Sequence, residues 1–321
     1  MSCHVIWESI VKQKYINHFE RGISMLKTMK HDFLNFVKHN PLYLACSVIY
    51  YLLASFALGA RWYSFLLAFV FYAVSLAIVF SPLGEKLLRV VEQVRKLEMR
   101  HEKEYLIPII QEVYDNAKEK NPELGGIELC IVESIDVNAC AIGKHTVALT
   151  RGAIETFGED QLKALLAHEL AHIVHGDTIA TLYTMVGNGL FTAFILINKG
   201  FLFVVDLITA MVTRSGFARI MLLLTRYSFE LTIIVFMFLM QAVMAINSRK
   251  NEYRADRYAY ELGYGEELVE AFLVLEKMQM GDNRKIIKKM LASHPRLSAR
   301  IGKLEDLIDN EAMQTAPLPL N

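Results

Sequence analysis

Five consecutive residues near the middle of the chain have the types and spacing of a metal site. His168-Glu169-Leu170-Ala171-His172 forms an HExxH pattern. On a helix, residues four apart lie on one face, so the two imidazoles converge on one point, as two zinc ligands must. Glu169 then lies beside the metal, where it can take a proton from a water whose pKa zinc lowers to about 7. The pattern favours water-activating zinc chemistry, and a chance pair of surface histidines is the alternative.

A third ligand is expected downstream, because a catalytic zinc takes three protein ligands and keeps one position open. His175 and Thr178 stand where the metzincin pattern has glycine and histidine, which excludes that variant. Further on, Glu252 and Asp256 lie four residues apart, on one face of a predicted helix. We predict that Glu252 binds the zinc and that Asp256 hydrogen-bonds a ligand histidine and fixes its tautomer. Taken alone, this Glu-xxx-Asp spacing is also common on exposed helices.

The elements that carry these residues are predicted to be mostly helical. From Glu159 onward, apolar residues recur on one face, which predicts a helix under the HExxH motif. Strands are predicted over 127–132 and 145–149. The other predicted helices are 85–119, interrupted at Pro108, then 247–262, 265–280 and 298–312.

Long apolar runs account for an unusually hydrophobic composition. Of the 321 residues, 54% are hydrophobic although 21% are charged, whereas soluble domains contain roughly 45–50% apolar residues. Four runs approach the ~20 residues of a membrane-spanning helix. These candidate spans are 41–60, 62–83, 179–197 and 227–246. We therefore predict two transmembrane helical hairpins, over 41–83 and 179–246.

The basic residues predict the orientation of these hairpins. Lysines and arginines flank both ends of the first hairpin, which indicates that both ends face the cytoplasm. His172 and Glu252 can share a metal only on one side of the membrane, so the chain between them must cross an even number of times. The four basic residues of the loop 198–226 conflict with an outside position, so part of it could be re-entrant or interfacial. Glu230 inside the last span has no explanation from the sequence.

The predicted fold is a mainly α membrane protein with a cytoplasmic α+β catalytic domain that contains a small β-sheet. Equal numbers of basic and acidic residues, 34 each, offer no basic stripe for nucleic acid. Four scattered cysteines without a CxxC pair suit a reducing compartment. The predicted divisions are an N-terminal cytoplasmic or amphipathic segment 1–40, hairpin 41–83, HExxH-bearing part 84–178, hairpin 179–246, third-ligand part 247–312 and tail 313–321.

Further motifs accompany HExxH and Glu-xxx-Asp: Asp177 after HExxH, Ser248-Arg249 before Glu252-Tyr253-Arg254-Ala255-Asp256, His294-Pro295 with Arg300, and the Asn-Ala-x-x-x-Gly segment within 137–143. Taken together, the motifs resemble the HtpX-like heat-shock membrane proteases, relatives of the CAAX prenyl proteases. The resemblance extends over about residues 41–310. It implies one zinc per chain at His168, His172 and Glu252, with Glu169 as the catalytic base.

The same resemblance implies how substrate is held. Asn138 and Ala139, with Ala141 in the same segment, would lie on or beside an edge strand that binds the substrate backbone by β-augmentation. His294 and Arg300 would face the scissile carbonyl and stabilise its developing charge. A helix-capping His-Pro turn and a surface arginine are the alternatives. The expected substrates are misfolded or damaged membrane proteins of a bacterial or archaeal cytoplasmic membrane.

Other functions fit parts of the sequence. A prenyl-protein protease and a catalytically silent zinc-binding scaffold or chaperone are the main alternatives. Glu169 argues against the scaffold, because a structural zinc needs no base and closes its fourth position. Charged residues on both sides of the motif, including Lys163 and Asp177, argue against an intramembrane protease of the site-2 type. A transporter would be expected to show inverted repeats, which we do not find.

Overall fold

The computed structural model describes residues 62–79, 81–183, 216–280 and 295–315, with short pieces between 33 and 55 and between 199 and 211. Within these ranges, none of the helices combines the length and the apolar character that crossing a bilayer requires. The predicted segments 1–40 and 313–321 lie largely outside the described residues, as do parts of the loop 198–226 and of both predicted hairpins.

The described chain is mainly helical and contains one small mixed sheet. The helices are α1 (Trp62–Val79), α2 (Pro82–Val91), α3 (Arg100–Lys120), α4 (Arg151–Thr156), α5 (Glu159–Val174), α6 (Gly216–Glu261), α7 (Gly265–Met280) and α8 (Leu297–Thr315). The strands are β1 (Val94–Lys96), β2 (Glu128–Val132), β3 (Ala139–Ile142) and β4 (Thr146–Thr150). Residues 177–183, just after α5, are also helical.

The sheet has the strand order β1-β2-β4-β3. The two central strands, β2 and β4, pair in parallel, and each outer strand pairs antiparallel with its neighbour. The predicted strands 127–132 and 145–149 are thereby confirmed as β2 and β4. β3 lies at one edge of this sheet, where one side of its backbone has no partner strand among the described residues.

The predicted helical stretch 85–119 is confirmed over most of its length as α2 and α3, but the predicted interruption at Pro108 is wrong. The chain leaves α2, passes through Gln93 with a φ of 53° and enters β1, which pairs with residues 130–132 of β2. α3 then runs through Pro108 without ending there. Pairing with β2 decides this conformation, because Val94–Lys96 gains ladder hydrogen bonds that the local charge pattern cannot reveal.

The largest hydrophobic cluster of the described residues surrounds the HExxH-bearing helix α5. Leu162, Leu166 and Leu170 recur every fourth residue along α5 and are fully buried. Each such burial contributes about 1.5–3 kcal/mol, so α5 is a rigid support for the chemistry on its other face. Other elements contribute large buried residues to this core: Leu106 from α3, Ile131 from β2, Leu149 from β4, Leu268 from α7 and Leu304 from α8.

α6 approaches α5 through small residues. Ala171 of α5 and Ala255 of α6 are fully buried and pack together beside Tyr258. Small side chains at a helix contact shorten the distance between helix axes. The predicted span 227–246 and the predicted helix 247–262 belong to this one continuous helix, Gly216–Glu261.

A buried ion-pair network fixes the approach to β3. Glu102 is only 3% exposed and accepts hydrogen bonds from Arg95 (2.6 Å) and Arg151 (2.9 Å). Both arginines also bind Glu133, at the start of the loop that leads to β3. Because the bonds from Arg95 and then Arg151 outweigh the effect of burial, the pKa of Glu102 falls to about 2. The network therefore ties β1, α3, α4 and this loop together at neutral pH.

Candidate metal centre

His168, His172 and Glu252 converge where α6 crosses α5. The Nε2 atoms of the two histidines are 3.3 Å apart. The two carboxylate oxygens of Glu252 lie 3.6 Å from Nε2 of His168 and 3.8 Å from Nε2 of His172. One ligand atom from each residue falls within 4.8 Å of the others. Two nitrogens and one carboxylate oxygen are a donor set that fits a catalytic zinc, with a fourth position left for water or substrate.

Asp256 lies behind His168. Its Oδ1 is 3.0 Å from Nδ1 of His168, which directs the other ring nitrogen, Nε2, to the centre. Burial and the charge of Arg300 favour the neutral ring. The hydrogen bonds to Asp256 and Glu252 outweigh both and raise the pKa of His168 to about 9. A metal that binds at Nε2 therefore displaces a proton.

Asp177 holds His172 in the same way, a contact that the sequence did not predict. Its Oδ2 is 3.0 Å from Nδ1 of His172, and its Oδ1 accepts a hydrogen bond from Arg254 (2.6 Å). Gly176, with a φ of 73°, turns the chain just after α5 and so returns Asp177 to His172. The sequence feature that could have predicted this contact is an acidic residue directly after a glycine at the end of the motif helix.

Arg300 contacts the proposed zinc ligand Glu252 and is 5% exposed, so the surface-arginine alternative is wrong. Its Nε and Nη2 bind the two oxygens of Asp256 at 2.8 and 2.5 Å, and its Nη1 lies 2.9 Å from Oε2 of Glu252. Burial opposes its charge, but the nearby carboxylates raise its pKa further above the usual value. The guanidinium also stacks 4.2 Å from the ring centroid of Phe272. His294 lies outside the described residues.

Glu169 is half-buried on α5, directly after His168, and this helix packs against β3 at the sheet edge. Its carboxylate is one of the charges that raise the pKa of Arg300. Burial, and then the charge of Glu169, raise the pKa of the Cys140 thiol in β3 to about 12. At neutral pH this thiol is therefore protonated and is no nucleophile. The predicted base and β3 are neighbours, although they are separated in sequence.

The open edge of β3 presents two alanines. Asn138, just before β3, donates its N–H to Oγ1 of Thr150 (2.9 Å), and its carbonyl accepts from the N–H of Thr150 (3.0 Å). Facing residues of an antiparallel pair alternate between hydrogen-bonded and non-hydrogen-bonded. Since Asn138 and Thr150 are hydrogen-bonded, the backbone groups of Ala139 and Ala141 point away from β4. An extended chain could pair with these groups.

Residues 100–308 match the family model described as Peptidase family M48. The chain belongs to peptidase family M48. With the HExxH histidines and a downstream Glu252 in one cluster, it is a zinc metallopeptidase of that family.

Relatives of this M48 peptidase include proteases named HtpX, which confirms the resemblance predicted from the motifs. Protease HtpX of Cellvibrio japonicus is 27% identical over 241 residues, which cover 68% of this chain and 75% of that protein. A Protease HtpX homolog of Chlorobium phaeovibrioides is 32% identical over 205 residues, or 58% and 67% of the two chains. The crystal structure of S. mikatae Ste24p aligns with 88% of this chain and 67% of its own, at 16% identity and a TM-score of 0.45. This last likeness is too weak to show a shared fold.

Proposed function

We propose that this M48 peptidase is a zinc-dependent endopeptidase of the cytoplasmic membrane that hydrolyses misfolded or damaged membrane proteins. The observation that supports it best is the juxtaposition of the His168, His172 and Glu252 cluster with a sheet edge beside Glu169. The cluster supplies hydrolytic chemistry, and the edge can hold a chain in extended form.

Different residues of the chain bind the metal, transfer the proton and orient the metal-binding histidines during peptide hydrolysis. Zinc, held one per chain by the two histidines and Glu252, supplies Lewis-acid polarisation of the scissile carbonyl. Glu169 accepts the proton of the attacking water at a carboxylate oxygen and passes it to the leaving amine. Asp256 and Asp177 hold the imidazoles in the tautomer that leaves each Nε2 free for the metal.

The developing negative charge on the scissile carbonyl needs a positive or hydrogen-bonding partner. We assign this role to Arg300 and His294. In support, the Arg300 guanidinium lies next to Glu252, a proposed zinc ligand, and is buried, where its charge acts at low dielectric.

Backbone pairing at β3 accounts for the proposed substrate class. Ala139 and Ala141 present N–H and C=O groups that pair with any extended segment, with little dependence on its side chains. Folded proteins keep such segments paired within themselves, whereas unfolded ones expose them. An enzyme with this edge therefore selects unfolded polypeptide over folded protein.

Exposed apolar side chains support the membrane location. On α1 and on the first part of α6, large apolar residues are exposed over several helical turns. Contiguous apolar surface of this kind is expected where lipid covers a protein. Those on α1 are Trp62, Tyr63, Leu66, Phe69, Val70 and Val74, and those on the first part of α6 are Phe217, Ile220, Met221, Leu223, Leu224, Tyr227 and Leu231.

The catalytic proposal is tested with the full chain purified in detergent. Wild type, Glu169→Ala and Glu159→Ala are incubated with zinc and unfolded casein, and bound zinc is measured by mass spectrometry. Glu159 is the matched control, because it lies exposed on the same helix, paired with Lys163. We expect Glu169→Ala to lose about 10²–10⁴-fold in cleavage rate while retaining zinc, and Glu159→Ala to cut as wild type does.

Two results would contradict this proposal. Equal cleavage by wild type and Glu169→Ala would remove Glu169 from the chemistry. If all three proteins bind zinc and none cuts casein, the scaffold alternative or a dedicated prenyl-protein substrate takes its place, and a prenylated peptide then separates these two.

A further inference from the structure

The turn between β3 and β4 is held from two sides. On one side, Glu85 of α2 accepts a hydrogen bond from the backbone N–H of Lys144 (3.2 Å) and another from Oγ1 of Thr146 (2.7 Å). On the other side, Oγ1 of Thr178 donates to the carbonyl of Gly143 (2.5 Å). Thr178 directly follows Asp177, which holds His172. The turn thus joins α2 to the segment that ends the metal-binding helix.

Gly143 allows Glu85 to come this close. Its φ of +60° lies in the left-handed region, and a Cβ built there would be 2.6 Å from Cγ and from Oε2 of Glu85. The carboxylate therefore packs directly on bare backbone. Arg89, one turn further along α2, fixes it from behind, with Nη2 3.0 Å from Oε1 of Glu85.

β3 depends on anchors at its ends. It has four residues and pairs with β4 on one side. Ala139, Cys140 and Ala141 are small and half-buried, so side-chain packing restrains these three residues weakly, whereas Ile142 at the end of the strand is buried in a hydrophobic cluster. Its beginning is anchored by the two bonds between Asn138 and Thr150. Its end is anchored at the turn by Glu85 and Thr178.

We propose that Glu85 is a positioning residue for substrate. Its carboxylate fixes the end of β3, and this fixes the position of the edge strand relative to the metal centre, so that a chain bound to the strand is presented to the metal ligands. This rests on the proposed function, in which β3 holds the substrate. Glu85 itself contacts neither the ligand cluster nor the open edge, so it acts through the turn. Glu85 lies on α2, directly after the first predicted hairpin. A shift of α2 would therefore move the turn and, with it, the substrate-binding edge of β3.

Glu85→Gln is the test variant and Glu128→Gln its matched control. Both glutamates bind Arg89, Glu85 at 3.0 Å and Glu128 at 2.6 Å, so each variant removes one charged partner of the same arginine. Only Glu85 binds the turn through its side chain, because Glu128 reaches it with its backbone N–H, which donates to the carbonyl of His145 (2.6 Å) and is kept in Glu128→Gln.

Oε2 of Glu85 accepts from Lys144, and Oε1 accepts from both Thr146 and Arg89. In Glu85→Gln, the NH2 group that replaces one oxygen faces either the N–H of Lys144 or the guanidinium of Arg89, and neither of these donors can accept its hydrogen, so the turn loses a bond or the side chain loses the arginine that fixes it. Thr146→Val keeps the shape of this buried strand residue. It removes only the hydrogen bond from Thr146 to Glu85 and leaves the charge of Glu85 in place.

The first measurement is amide hydrogen exchange of the full chain in detergent, over the peptide 138–146. We expect Glu85→Gln to speed exchange there by about tenfold, because loss of an anchor frees local opening, and Thr146→Val to shift it in the same direction by less. The second is steady-state cleavage of unfolded casein. We expect KM to rise about fivefold in Glu85→Gln with kcat within about twofold of wild type, as weakened ground-state docking predicts. Glu128→Gln should match wild type in both, and all proteins should hold equal zinc.

Three outcomes would overturn the proposal. Unchanged exchange in Glu85→Gln and Thr146→Val would show that the turn does not need this carboxylate. Faster exchange with unchanged KM would show that the anchored strand does not position substrate. Equal effects of Glu85→Gln and Glu128→Gln would assign the effect to Arg89 pairing. If wild-type protein cuts nothing, the proposed function fails and takes substrate positioning with it, while exchange still reports whether the anchor exists.

Discussion

At the scale of single residues, the metal centre repeats one arrangement twice. Each zinc-binding histidine has its own aspartate, Asp256 for His168 and Asp177 for His172. Each aspartate is in turn bound by an arginine, Arg300 or Arg254. A carboxylate behind a ligand histidine fixes its tautomer and increases its basicity. The arginines neutralise the buried carboxylates, so the site keeps its geometry without accumulating negative charge.

Asp177→Asn tests this arrangement. We expect zinc affinity to fall about 10–100-fold, the usual effect of losing such a partner, because the amide carries no charge to hold His172 or Arg254. Competition with a chromophoric chelator measures the affinity directly. Asp136→Asn is the control, since Asp136 is exposed and its side chain bonds Ser134. Equal affinity in Asp177→Asn and wild type would show that Gly176 and the helix alone orient His172.

The sequence predicted the ligands better than their partners. HExxH and Glu-xxx-Asp encode helix faces, so spacing alone could pair His168 with His172 and Glu252 with Asp256, and the need for a third zinc ligand joined the two pairs. The pairing of Asp177 with Arg254 could not be predicted in this way, because the two residues are 77 positions apart and meet only when α6 packs on α5. Spacing within one element is readable in a sequence, but contact between elements is not.

At the scale of elements, the packing of α6 on α5 controls the metal centre. Glu252 and Ala255 lie less than one turn apart on α6, so the position of this helix sets the distance from Glu252 to both histidines. The contact is made by Ala171 and Ala255, which are fully buried. Any added volume there must separate the helices or distort their side chains.

Ala255→Leu should therefore weaken zinc binding through packing alone. We expect unfolding stability to fall by about 1–3 kcal/mol, the usual cost of overpacking, and zinc affinity to drop by at least about tenfold, because Glu252 moves away from the histidines. Thermal unfolding and chelator competition provide the two measurements. Ala299→Leu is the matched control, since Ala299 lies exposed on α8 next to Arg300. Full zinc affinity in Ala255→Leu would show that α6 can shift without moving its ligand.

The periodicity of apolar residues predicted the helices and strands whose own sequence carries a clear pattern of buried and exposed positions. The helices α5, α7 and α8 and the strands β2 and β4 follow their apolar patterns to within a few residues. β1 was missed because three residues, Val94–Lys96, give no period and owe their conformation to β2. β3 came from the family resemblance, since small residues give little pattern of burial.

At the scale of the whole molecule, exposed apolar surface and metal chemistry lie on different parts of the chain. The ligand cluster is buried among α5, α6 and the sheet, whereas α1 and the first part of α6 expose large apolar side chains. α6 links the two, because it runs unbroken from its exposed apolar part to Glu252. If the apolar parts lie in lipid, the catalytic part is held at a fixed distance from the membrane surface.

The proposed orientation gives the last prediction. Single cysteines are placed at Asp136, in the exposed loop before β3, and at Arg61, the tip of the first predicted hairpin, which lies outside the described residues. Cys3 and Cys46 are replaced by serine. Cys130 is buried, and the Cys140 thiol, whose pKa is raised by burial to about 12, reacts slowly with maleimides.

Since basic flanks predict a cytoplasmic catalytic part, a membrane-impermeant maleimide should label Asp136→Cys in inverted bacterial membrane vesicles and not in intact spheroplasts. Arg61→Cys should show the reverse. Labelling of Asp136→Cys in spheroplasts would place the metal centre outside the cell. Labelling of both positions from the cytoplasmic side alone would mean that residues 41–83 do not cross the bilayer. In that case the exposed side chains of α1 would have to lie along the membrane surface, and the height of α2, Glu85 and the substrate edge above the lipid would be set by that surface contact.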